Sequence, residues 1–254
     1  IVCSAKDIAG MNIHNHLLEK GFESTDDKWQ GETIYQRGEW MLIITQQDEV
    51  YADNIADLDC DEVIFASRHS SSTGTPTLTA HIPGNFGPAD LGGKQGELCY
   101  GAAHRMLSVY KEILKSPYPE FQISLEVTHH GPYIPQPCCF VELGSDEQQW
   151  KNEKAADFLA DCIIKGIENY DEDAPTAIGI GGPHYCPRLS RAEGEYALGH
   201  IMPRYAWDYL NKRMINQMIE KTFPNPITVL LDKKGIKGKT ELLKMLEKYE
   251  VELI

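Results

Sequence analysis

Short apolar runs alternate with amphipathic stretches along this chain, and that alternation limits the folds open to it more than any other feature. IVCSA at residues 1–5 precedes a helical pattern through Met11, His14, Leu17 and Leu18 that stops at Gly21, which is a strand followed by a helix. Further strands are expected at Trp40–Thr45, Glu62–Ala66, Gln122–Val127, Cys138–Leu143, Thr176–Ile180 and Ile227–Leu231. Over Gly96–Lys115, Leu98, Ala102, Met106, Val109 and Ile113 fall near one face of a helix. Ser145 with Gln148 makes a capping box ahead of a helix carrying Trp150, Ala155, Phe158, Leu159, Cys162 and Ile163. The fold class this predicts is α/β, a mainly parallel or mixed sheet with helices on both faces. No repeat, low-complexity tract or Pro/Ser linker divides the 254 residues, so they are read as a single α/β domain with room for a small subdomain.

Composition narrows the setting. Seven cysteines, odd in number and without C-x-x-C spacing, indicate neither a disulfide framework nor a thiolate zinc site. The first residues lack the features of a signal peptide, and no run approaches the roughly 18 apolar residues that cross a bilayer. A soluble protein of the reducing cytoplasm, without a membrane partner, is the expectation. A net charge of −14 argues against diffuse, sequence-blind attraction to nucleic acid, DNA included. The basic stretch DKKGIKGKTELLKMLEK near the C-terminus reads as a solvated loop and helix face.

Chemically capable residues gather where strands end, and in α/β sheets ligands bind beyond the carboxyl ends of strands. IVCSA exits into Lys6-Asp7, EVIFA into Ser67-Arg68-His69-Ser70, the Gln122 strand into His129-His130, and TAIGI into Gly181-Gly182-Pro183-His184-Tyr185. Two loop-like segments, LTAHIPGNFG with His81 and Asn85 and LGHIMPRYA with His200 and Arg204, are similarly equipped. Six of the nine histidines lie in or beside such Gly/Pro-containing segments, whereas His14, His16 and His104 sit in expected helices and are set aside. Imidazole and carboxylate are ligands for a borderline metal such as zinc, and a catalytic zinc keeps one position open. On a regular strand the adjacent His129 and His130 would face opposite ways, so a shared site requires a backbone turn, which Gly131-Pro132 supplies. Glu126 suits three roles: metal ligand, partner of a ligand, or general base. GIGGPHY is neither a dinucleotide fingerprint nor a P-loop. SRHSSST lacks a nucleophile elbow and reads as a polar substrate-binding loop.

Taken in order, FASRHSS, LTAHIPGNFG, EVTHHGP, GIGGPHYCPR and LGHIMPRYA resemble the archaeal and plant type of D-aminoacyl-tRNA deacylase, also called D-tyrosyl-tRNA deacylase, over nearly the whole chain. The resemblance implies hydrolysis of the ester between a D-amino acid and the terminal ribose of tRNA, with zinc as cofactor. It also implies a fold like the phosphorylase/hydrolase group that includes peptidyl-tRNA hydrolase. Within those motifs a subset of His69, His81, His129, His184 and His200 is read as holding the metal, and Glu126 or His130 as moving protons. Lys6, Arg68, Asn85, Lys94, Arg188 and Arg204 are the candidate contacts for substrate and the tRNA acceptor end. The competing reading is a zinc-dependent hydrolase of small amides or peptides, which shares the metal site but needs no basic track. Oligomeric state stays open.

Overall fold

The chain is described by a computed structural model over residues 1–226, 228–236 and 238–254; Ile227, expected to begin a strand, and Lys237, from the basic stretch, lie outside the described residues. The strands are β1 (Val2–Ser4), β2 (Glu23–Trp29), β3 (Glu32–Arg37), β4 (Trp40–Thr45), β5 (Val63–Arg68), β6 (Thr77–His81), β7 (Gly101–Ala102), β8 (Gln122–Leu125), β9 (Cys138–Gly144), β10 (Thr176–Ile180), β11 (Ala197–Met202), β12 (Thr222–Phe223), β13 (Thr228–Leu231) and β14 (Glu250–Leu253). Ten of them form a mixed sheet in the order β12-β7-β9-β5-β1-β4-β3-β2, with β6 and β8 branching from β9. The other four form a parallel sheet, β11-β10-β13-β14.

The large sheet places its side chains by simple alternation. β5 and β9 pair in parallel with Phe65 opposite Phe140 and Ser67 opposite Glu142, and both strands are almost wholly buried. Ile64, Ala66, Val141 and Leu143 join the main core, into which α1 (Ile8–Glu19), α2 (Ala103–Ile113), α3 (Glu147–Trp150) and α4 (Glu153–Glu168) send side chains such as Ile13, Met106, Trp150 and Leu159. Phe65 and Phe140 belong to a second cluster with Val2, Ile55 and Cys138, stacked on each other at 4.6 Å. Helices α1 to α4 cover one face of this sheet, and the other carries 3₁₀ turns, loops and the polar residues described below. The parallel sheet is flanked on both sides. Ala177, Leu198 and Leu230 face the main core together with Leu189 of α5 (Pro187–Ala192), while Ile178, Val229 and Leu231 pack with α6 (Lys212–Glu220) and α7 (Lys239–Met245).

Several elements differ from expectation for local reasons. The helix expected over Gly96–Lys115 begins only at Ala103, because Gly96 takes a positive φ of 63° and Gly101 pairs in β7. The helix expected after Ser145 is two: Asp146 caps α3 by accepting from the Gln149 N–H, and Asn152 caps α4 by accepting from the Ala155 N–H. The segments holding His81 and His200 are strands β6 and β11 in part, not loops. Among the described residues, no helix is long and apolar enough to cross a membrane.

Candidate active site

β6 runs antiparallel to β9 and parallel to β8, so its branch folds a second strand end toward the exit of β5. Alternation puts Glu142 of β9 and His81 of β6 on the face of the sheet that carries Phe65 and Phe140, and the His81 ring stacks on Phe140 at 5.1 Å. His69 follows β5, Glu126, His129 and His130 follow β8, and His184 follows β10. These seven side chains converge, forming three overlapping groups whose ligand atoms lie within 4.8 Å of one another: His81, His129 and His130; His69, Glu126 and His184; and His81, Glu126 and Glu142.

The adjacent histidines meet there because the backbone turns at His130, whose φ of 47° is left-handed and cancels the strand's alternation. Gly131 makes the turn possible, since a Cβ there would stand 2.2 Å from the Gly93 nitrogen and 2.3 Å from the Val50 oxygen.

Hydrogen bonds to carbonyls fix the tautomers. His129 Nδ1–H donates to Val127 O at 2.8 Å, leaving Nε2 a bare acceptor that faces Glu126 Oε2 at 3.6 Å. His130 Nδ1–H donates to Gly131 O at 2.5 Å, so its Nε2 accepts from His81 Nε2–H at 3.2 Å. His81 is therefore left with a bare Nδ1, 4.0 Å from Glu142 Oε2 and without a hydrogen-bond partner among the described residues.

Glu126 is 1 % exposed, and His69 Nδ1 and His184 Nε2 approach its two oxygens to 3.0 and 2.7 Å. Neither approach has the angles of a hydrogen bond, so both oxygens lack a true partner. Burial alone would raise the pKa of Glu126; the imidazoles of His184 and His69 outweigh it and hold the group well below the usual carboxylate range. Burial likewise works against charge on His69, but Glu126 and Glu142 prevail and push it up to about 11. Burial is the main cause that lowers His129 to about 4 and His130 to about 3, and it holds His81 far down as well. At neutral pH these three rings offer lone pairs, the form in which imidazole binds metal.

Glu142 is the member that sequence reasoning missed. It accepts from Ser67 Oγ at 3.0 Å and lies 3.4 Å from His69 Nδ1, and burial is the leading cause that pushes it up to about 7. Its signal was a single carboxylate inside the apolar run CCFVELG. Tyr185, whose hydroxyl is 2.9 Å from His69 Nε2, steadies the ring, and Trp150, whose indole N–H donates to the main-chain carbonyl of His69, steadies the backbone that carries it.

Other expected site residues are placed differently. His200 stands outside the constellation: wholly buried in β11, it donates from Nε2 to Cys99 O at 2.9 Å and takes the Thr128 hydroxyl at Nδ1, 3.1 Å away. A ring with both nitrogens engaged has no lone pair left for a metal, so its geometry is that of a tie between β11 and its neighbours. His200→Ala is expected to cost roughly 2–3 kcal/mol of stability through the polar groups it leaves unpaired, with bound metal unchanged; denaturant unfolding and elemental analysis check this, and a loss of metal would restore His200 to the ligand set.

Arg68 leaves the site edge to meet Lys6 O at 3.1 Å and Asp48 at 3.2 Å, and Lys6 is exposed beside it. Asn85 donates to Gly92 O and lines a cavity against His129 and His130. Lys94 sits over the Tyr133 ring at 4.1 Å. Arg204 is exposed at the end of β11, while Arg188 is tied to Ile254 O and Asp232, away from the cluster.

With this geometry in view, the comparisons with known proteins are decisive for family. A family model described as D-aminoacyl-tRNA deacylase matches residues 56–254. The chain belongs to the D-aminoacyl-tRNA deacylase family. Among deacylase relatives, the protein of Thermococcus onnurineus is 36% identical over 252 residues, covering 94% of this chain and 92% of its own. That of Archaeoglobus fulgidus is 33% identical over 249 residues, covering 93% and 87%. A crystal structure of the conserved protein of unknown function AF0625 superposes with a TM-score of 0.87 at 31% identity, over 99% of this chain and 93% of that one. The span matched by the deacylase family model holds all seven converging side chains.

Proposed function

We propose that this chain hydrolyses the ester joining a D-amino acid to the terminal ribose of tRNA, in the cytoplasm, as one α/β unit spanning residues 1–254, with zinc as cofactor. The observation that carries the metal is the bare Nε2 of His129 set against a buried, unpartnered oxygen of Glu126. Two lone pairs aimed at one another repel unless a cation lies between them. The donor set of neutral imidazoles and carboxylates suits zinc without any thiolate. His129, His184 and Glu126, with the bare Nδ1 of His81 nearby, are the side chains that would hold it, while His69, both of whose nitrogens are engaged, pairs with Glu126 and Glu142; the ion, when bound, would supply Lewis-acid polarisation of a carbonyl and acidify water.

The remaining tasks fall to the chain. Glu126 does not line the open groove, so its role is to hold the centre. His130 keeps the His81 tautomer by accepting its Nε2 proton, which makes it a positioning residue. Glu142 does line the groove and is assigned proton exchange with groove water. Because the ester is intrinsically labile, placement of the substrate matters more here than raw rate enhancement.

Release of D-tyrosine from D-tyrosyl-tRNA by the purified, zinc-loaded protein tests this reading. L-Tyrosyl-tRNA is expected to turn over at least about 100-fold more slowly, and KM for the polyanionic substrate to rise with salt. Turnover of small amides or peptides with none of D-tyrosyl-tRNA would establish the competing reading instead.

A further inference from the structure

Two cavities adjoin at His129 and His130. One, of about 380 Å³, is walled by Asp48, Glu49, Arg68 and Glu142 and reaches His69 and His184. The other, of about 360 Å³, is lined by Phe86, Gly87, Pro203, Tyr205 and Tyr209, with Asp90 its one carboxylate. Leu91, His129 and His130 line both, so a single ligand centred on the two imidazoles extends into each.

The ester of an aminoacyl-tRNA has two unlike halves. Its acyl half bears an amine, which is a cation or a hydrogen-bond donor. Its alcohol half ends in a flat adenine and leads outward through a phosphate.

The second cavity has the chemistry of the alcohol half. Tyr205 and Tyr209 are 62% and 43% exposed, high for aromatic rings with no protein partner to cover them. Tyr209 is braced from behind: a Cβ on Gly87 would stand 2.5 Å from its ring carbons, so the ring rests on glycine backbone. Arg204, next in sequence to Tyr205, is exposed. The 3₁₀ segment Arg204–Tyr209 carries both exposed tyrosines and an arginine, the residue types that surfaces stacking bases beside a phosphate track use. In the first cavity Arg68 is spent on Asp48 and Lys6 O, so it is not free to meet a phosphate.

We propose that the cavity under Tyr205 and Tyr209 seats the terminal adenine of the substrate, and that the adjoining cavity, which reaches His69 and His184, receives the aminoacyl group. The assignment rests on aminoacyl-tRNA being the substrate. Stacking on an aromatic side chain accounts for roughly a 10-fold difference in binding per base.

The test uses the zinc-loaded full chain with Tyr205→Ala, Tyr209→Ala and Tyr205→Phe. Adenosine 5′-monophosphate is titrated by calorimetry, and kinetics are measured on D-tyrosyl-, D-alanyl- and D-aspartyl-tRNA. Each alanine variant is expected to weaken nucleotide binding about 10-fold and to raise KM equally, within about threefold, for all three substrates, while Tyr205→Phe stays near wild type. A loss that tracks the amino-acid side chain would overturn the proposal and give this cavity to the acyl group. Undiminished nucleotide binding in both alanine variants would overturn it too. A wild-type protein that releases no D-amino acid from any of the three defeats the deacylase reading, a result distinct from either of these, since the nucleotide titration still reads the cavity.

Discussion

Glu126→Gln is expected to lower kcat/KM for D-tyrosyl-tRNA by at least about 100-fold, the upper range for groups that only support a metal ligand, and to deplete bound zinc. Three imidazoles approach this one carboxylate, from His184 at 2.7 Å, His69 at 3.0 Å and His129 at 3.6 Å. The amide keeps the shape and removes the charge. It also brings an N–H that donates to the bare Nε2 of His129, so the metal-free variant satisfies by hydrogen bonding what the native protein satisfies with a cation. That new hydrogen bond is set against the loss of the charge that pairs with His69, so the clear expectation is that zinc raises the melting temperature of wild type by more than that of the variant. Elemental analysis, single-turnover kinetics and melting of both forms check the set. Full activity and full metal content in the variant would reduce Glu126 to a packing residue.

The parts of this site that were legible in the sequence are those where the chain breaks a regular pattern. EVTHHGP ends an apolar strand with a carboxylate, two imidazoles and a turn, and a turn is what lets His129 and His130 share a site. His69 and His184 follow the apolar runs EVIFA and TAIGI in the same way. Glu142 is different. It lies inside β9, paired across the ladder with Ser67 and Thr79, and only the register reveals that its face is also that of His81. His200 misled for the converse reason: glycine and proline near it mimic a loop, yet the segment is a buried strand whose neighbours occupy both ring nitrogens.

The fold was legible to a similar depth. Buried parallel strands announce themselves as apolar runs, and β1, β4, β5, β9 and β10 fell where such runs lie. The hairpin of β2 and β3 went unseen because its strands are mostly polar and exposed, with no apolar alternation to read. Which helices cover which face depends on long-range pairing, above all the antiparallel β6·β9 branch, and no local pattern encodes that.

Removing the metal should cost stability as well as activity. An ion held at about 1,000 times its dissociation constant contributes about 4 kcal/mol to the folded state. A chain of this size moves by roughly 2–4 °C per kcal/mol, so complete chelation is expected to lower Tm by roughly 10 °C and to silence deacylation, with zinc restoring both. The loss should depend on pH in a definite sense. His129 and His130 titrate near 4 and 3 in the fold against an ordinary 6.5, so on acidification the unfolded chain takes up protons first. The stability tied to these neutral rings is fully present above about pH 6.5 and drains away as pH falls toward 4. Metal-free protein should feel this decline directly, whereas bound zinc competes with protons for the same lone pairs and should shift the onset to lower pH. Melting curves between pH 4 and 8, with and without zinc, measure the shift. Coincident curves, or undiminished turnover after complete chelation, would mean that the facing acceptors of His129 and Glu126 are reconciled by something other than a metal ion.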